Sequence, residues 1–108
     1  MTFDEYQQKA MQTAIYPQES GPVYPVLGLT GEAGEVADKV KKVIRDRGGV
    51  FDAEARLEIA KEAGDVLWYL ASLARELDIS LDEIARINID KIRSRQRRNM
   101  IHGDGDNR

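Results

Sequence analysis

Cysteine is absent from all 108 residues, so this chain can build neither a disulfide nor a thiolate zinc site. Histidine occurs once, at His102, which excludes the Glu-x-x-His pairs that di-iron carboxylate bundles draw from two of their helices. All three prolines fall between Tyr16 and Pro25, leaving the rest of the chain without the residue that breaks helices. No apolar run approaches the ~20 residues needed to cross a bilayer. Met1-Thr2-Phe3-Asp4-Glu5 lacks the basic and apolar stretches of a signal peptide, so the expectation is a cytoplasmic protein with no membrane partner. Nothing reads as a strand, a repeat or a low-complexity tract. A net charge of −3 argues against nucleic acid as a partner.

What remains is a single domain over residues 1–108, 42% hydrophobic, which suits a globular chain and not a disordered one. The apolar spacing predicts an all-α protein, four antiparallel helices in a bundle-like arrangement. The first helix is expected from Phe3 to Ile15, with Thr2 as N-cap and Glu5 completing a capping box. Tyr16 to Pro25 reads as a loop. The second helix is expected from Val26 to Arg47 and stops at Gly48-Gly49. The third, capped by Asp52, runs from Ala53 to Leu77 with a core stripe of Leu57, Ala60, Gly64, Leu67 and Ala71. Ser80 and Glu83 open the fourth, which continues to Arg97, and residues 99–108 form a polar tail. A core this small favours a homodimer or homotetramer.

Within that frame two acidic motifs stand out, Glu32-Ala33-Gly34-Glu35 and Glu62-Ala63-Gly64-Asp65. Each puts two carboxylates on one helical face, where like charges repel and add nothing to helix stability. Both lie beside strongly apolar stretches, Val26-Leu27-Gly28-Leu29 and Val66-Leu67-Trp68-Tyr69-Leu70, where an unpaired acid is costly. If the two helices run antiparallel, Glu32, Glu35, Glu62 and Asp65 could converge on a hard divalent cation. Mg²⁺ takes oxygen ligands and works beside substrate phosphates. Asn88, Lys91 and Arg95 share one face of the fourth helix, an amide and two cations suited to a sugar hydroxyl and phosphate oxygens. The plainer reading, that they complement the negative end of that helix, is preferred for Arg93, Arg97 and Arg98. Tyr24, in the proline-rich loop, and Trp68 are the aromatic candidates for a base, although an aromatic on an apolar helix more often belongs to the core.

The two motifs, their flanks Gly28-Leu29-Thr30-Gly31 and Val66-Leu67-Trp68-Tyr69-Leu70, and the tail from Lys91-x-x-x-Arg95 to His102-Gly103-Asp104-Gly105-Asp106-Asn107-Arg108 resemble the MazG-like nucleoside triphosphate pyrophosphohydrolases. The resemblance covers nearly the whole chain. It implies Mg²⁺-dependent hydrolysis, with Mn²⁺ as a substitute, of a nucleoside triphosphate to the monophosphate and pyrophosphate. It also implies Glu32, Glu35, Glu62 and Asp65 as metal ligands and catalytic groups, a base on the first acidic helix, and a dimer or dimer of dimers with the pocket near a subunit interface. The tail could then fold over the pocket, bringing Asn107 or Arg108 to the nucleotide. A phosphoribosyl-ATP pyrophosphohydrolase would share this chemistry, and a non-catalytic helical interaction module would show no metal dependence.

Overall fold

The computed structural model describes all of residues 1–108 and is built from α1 (Phe3–Met11), α2 (Val23–Asp46), α3 (Ala53–Glu76) and α4 (Leu81–Arg97), with a single 3₁₀ turn at Gln18–Ser20 before α2 and no strand. The caps act as their residue types dictate. Side-chain oxygens of Thr2, Asp52 and Ser80 accept from the backbone N–H of Glu5, Ala55 and Glu83, each satisfying a donor that the first helical turn leaves unpaired. Gly48 and Gly49, at φ +62° and +75°, make the left-handed turn that ends α2.

Two boundaries differ from the sequence expectation. α1 stops at Met11, and Ile15 is 94% exposed. Pro17 disfavours helical backbone at Tyr16, and the Thr13 hydroxyl folds back onto the Ala10 carbonyl at 2.6 Å. α2 begins earlier than expected, at Val23, and takes Pro25 into its first turn, where no N–H is needed. Pro25 is fully buried there.

α2 and α3 form an antiparallel hairpin. Gly28 faces Tyr69 near one end, and the Arg47 guanidinium reaches Glu58 at 3.5 Å near the other. α1 packs across α3 and the start of α4 around Ala10, Ala71 and Leu81, with Tyr6, Met11, Leu67, Trp68 and Leu70 against them. Gln7 ties this junction. Its amide nitrogen donates to the Ala71 and Ile79 carbonyls at 3.3 and 3.4 Å, and its oxygen accepts from the Leu81 N–H at 2.9 Å.

The expected α3 stripe is corrected in part. Ala71 is buried and Leu67 half-buried, but Leu57 is 58% exposed and Ala60 and Gly64 lie on the surface. α3 turns Ile59, Glu62 and Val66 inward instead, because that face lies along α2. Only nine residues are buried in all. The radius of gyration is 16.7 Å, against about 13 Å for a close-packed domain of this length. α4 leaves the hairpin after its first turns rather than closing a bundle; Ile87, Ile89 and Ile92 are all at least 42% exposed.

Candidate functional site

Close approach of α2 to α3 begins at Gly28. A Cβ there would stand 2.2 Å from the Tyr69 ring, so the ring lies directly on the α2 backbone, which only glycine permits. One turn along α2, Glu32 comes opposite Glu62 and Asp65. The three carboxylates each place an oxygen within 4.8 Å of the other two. Glu32 and Glu62 are half-buried and Asp65 is exposed. Glu35 stands outside this group, one turn further on and exposed. No cation pairs with any of the four, whereas Asp38, on the same helix, is bound by Lys41 and Lys42 at 2.8 Å each.

The electrostatic consequence is visible at Glu32. Burial pushes its carboxyl above the ordinary glutamate range, and the charges of Asp65, Glu62 and Glu35 push it further the same way. Asp38, with two lysines, is held down at about 2. Glu32 is thus a carboxylate under repulsion with nothing in the chain to relieve it. Three oxygen donors gathered this closely are the donor set that a hard divalent cation takes.

The acids open into a cleft of about 380 Å³ lined by Thr13, Glu32, Asp65, Trp68 and Tyr69, within the range of small-molecule sites. Its aromatic side is a set of rings in contact. Trp68 meets Tyr69 edge-on at 5.0 Å and 81°, and its indole N–H donates to the Thr13 hydroxyl at 2.9 Å. Tyr24 lies 6.5 Å from Tyr69 and stacks on Tyr16 at 4.9 Å. Burial raises the Tyr69 phenol above its ordinary value, and the neighbouring Tyr24 and the Glu32 carboxylate act in the same direction. No basic side chain lines the cleft.

The basic residues expected at phosphate are engaged elsewhere. Lys91 Nζ sits 2.7 Å from Asp106 Oδ1, and Arg95 donates to the same oxygen at 3.1 Å and to the Asp106 carbonyl. Arg95 is only 8% exposed beneath this tail. The Asp106 carboxyl is held below the ordinary aspartate range by its hydrogen bonds to Lys91 and then Arg95. Arg108 turns its guanidinium onto the Met100, Ile101 and Gly105 carbonyls at 3.1, 2.6 and 2.7 Å. Asn88 and Asn107 are exposed. The tail therefore closes on the end of α4, held there by Lys91, Arg95 and Arg98.

Of the expected site residues, Glu32, Glu62, Asp65 and Trp68 come together, with Tyr24 behind Tyr69. Sequence reasoning did not carry Tyr69 among the site residues and passed over Thr13. Tyr69 follows Asp65 by four and Glu62 by seven, the spacing of one helical face, so a signal existed. Thr13, in a loop, had none.

A family model described as the MazG nucleotide pyrophosphohydrolase domain matches residues 25–100. That stretch holds both acidic motifs, Trp68 and Tyr69, and leaves out Thr13, Tyr16 and Tyr24. The "Gene 37 protein" of Mycobacterium phage L5 is 46% identical over 114 aligned positions that cover the whole of both chains. No solved structure matches the chain.

Proposed function

Because the chain belongs to the MazG nucleotide pyrophosphohydrolase domain family, we propose that it hydrolyses nucleoside or deoxynucleoside triphosphates to the monophosphate and pyrophosphate in the cleft between α2 and α3. The observation that carries this is the meeting of Glu32, Glu62 and Asp65 within 4.8 Å, without a cationic side chain, beside an aromatic wall. Mg²⁺, or Mn²⁺ in its place, supplies the missing positive charge when bound, neutralising phosphate oxygens and acidifying a coordinated water. Glu32, Glu62 and Asp65 hold it. Glu35 is free of ion pairs and exposed, so it is positioned to take a second ion or to remove the proton of the attacking water.

Trp68 and Tyr69 offer ring faces and edges to the base, with Tyr24 behind them. Lys91 and Arg95 face phosphate only by exchange, a phosphate oxygen taking the place of Asp106 on the two cations, with the exposed Asn88 on the same helix; Asn107 and Arg108 move with the tail in that event. We further propose a homodimer or homotetramer. Leu27, Ile44 and Leu57 are each at least 58% exposed and only nine residues are buried, so the lone chain hides little of its apolar content, and a second copy is the partner that would cover more of it. No helix is long and apolar enough to cross a membrane.

The test is product analysis across canonical and modified nucleotides, with and without Mg²⁺. Pyrophosphate and monophosphate appearing only with the metal support the proposal. A diphosphate with orthophosphate overturns the cleavage position. Turnover confined to phosphoribosyl-ATP assigns the narrower relative, and no turnover of any substrate makes the chain an interaction module.

A further inference from the structure

Behind the cleft's aromatic side lies a polar cluster that the proposed hydrolysis does not use. Tyr16, in the loop between α1 and α2, drives its phenol against α3. The hydroxyl donates to Glu76 Oε1 at 2.6 Å and accepts from Ser72 Oγ at 2.8 Å and from an Arg75 Nη at 2.7 Å. One donor and two acceptor sites are thereby all filled, which is the full capacity of a phenol. Ser72 is completely buried and the Glu76 side chain only 17% exposed, so these bonds are made largely away from water and fix the ring in one place.

The ring so fixed touches two members of the aromatic side at once. It stacks on Tyr24 with planes 5° apart and meets Trp68 edge-on at 6.4 Å. Trp68 lines the cleft, and Tyr24 stands against Tyr69, which lines it too. Tyr16 lies outside residues 25–100, so family membership assigns it nothing.

We propose that Tyr16 is a positioning residue: through its hydrogen bonds to Glu76, Ser72 and Arg75 it sets the aromatic side of the cleft against which the nucleotide's base packs. It acts on binding through Tyr24 and Trp68 and takes no part at the metal end of the cleft. The inference rests on the function proposed above.

Trp68 is the one tryptophan of the chain, so its emission reports on the cleft alone. Tyr16→Phe keeps the ring and removes its anchor. Losing the anchor's hydrogen bonds is expected to raise KM for the nucleotide about three- to tenfold, with kcat held within roughly twofold. Trp68 emission in the nucleotide-free protein should shift toward that of a wetter indole. Glu76→Leu, which leaves the phenol in place but takes its acceptor, should reproduce both changes if Tyr16→Phe folds poorly. Glu76→Gln, which keeps an acceptor oxygen, should restore KM and emission to near wild type. Unchanged KM in Tyr16→Phe and Glu76→Leu, or a fall in kcat alone, overturns the inference and leaves the proposed function standing. A wild-type protein that neither binds nor hydrolyses nucleotides with Mg²⁺ removes both.

Discussion

In the middle of the α2–α3 hairpin three carboxylates gather with no cation among them, whereas at the end of α4 two cations gather around a carboxylate that the chain itself supplies. Both regions are dense in charge, and both stood out as candidate contacts for a metal-bound triphosphate. The structure treats them oppositely. At the acid cluster repulsion is left unrelieved and Glu32 is pushed above its ordinary range. At the tail the attraction is satisfied and Asp106 is pushed below. Charge that the fold leaves unanswered is open to a ligand, and charge that it answers internally holds the chain together.

The largest expected effect breaks the comparison at the acid end. Ala in place of Glu62 or Asp65 should cut turnover by on the order of a hundredfold or more, since a metal's stabilisation of the developing charge is worth several kcal/mol. Helicity should survive and the melting temperature hold or rise, because a like-charge contact is relieved. Circular dichroism beside the activity assay checks both. Loss of helicity in both variants would assign these acids a structural role.

Next in size is Gly28→Ala. The added methyl would stand 2.2–2.5 Å from three atoms of the Tyr69 ring, so the ring must leave its place. Overpacking of this kind costs about 1–3 kcal/mol, and the melting temperature should drop by several degrees. Because Tyr69 lines the cleft, nucleotide affinity should fall with it. An unchanged Trp68 emission spectrum would mean that the ring had not moved.

At the basic end the expected loss is in stability before activity. Arg95→Ala removes two contacts to Asp106 from a nearly buried position and should cost roughly 1–2 kcal/mol, discounted because Asp106 itself is solvated. Arg97→Ala should cost almost nothing. A tenfold loss of kcat/KM in Lys91→Ala and Arg95→Ala, without loss of melting temperature, would show the phosphate exchange at work and sharpen the contrast differently.

The smallest effect is in the acid titration. Asp106 is depressed below its ordinary 3.8, so the tail's ion pairs contribute fully above that value and are lost as pH falls through the lower folded one. The Asp106 side-chain carboxyl resonance, followed by NMR, should therefore titrate with its midpoint below 3.8. A midpoint at or above 3.8 would mean that the tail is not held in solution.

Much of this was legible in the chain. The caps at Thr2, Asp52 and Ser80 and the stop at Gly48-Gly49 are local matters between a side chain and its own backbone, and they stand as expected. The meeting of Glu32 with Glu62 and Asp65 followed from two facing helices of known period. What failed was long-range. The Leu57-Ala60-Gly64 stripe has helical spacing, but spacing cannot say which of two apolar faces meets α2. Lys91 and Arg95 have the chemistry of phosphate ligands, and only the path of the tail shows Asp106 reaching them first. Tyr16 looked like a loop residue before a proline; its partners lie 56 to 60 positions further on.

The Gln7 junction bears on how the chain comes to be folded at all. α1 has nine residues, too few to persist alone in water, and its clasp closes on Ala71, Ile79 and Leu81, 64 to 74 positions later. During synthesis the full clasp therefore cannot close until the start of α4 has emerged, a delay of roughly 4 to 15 seconds at ordinary elongation rates. By this one glutamine, α1 reaches its final tie only after all of α3 has been made.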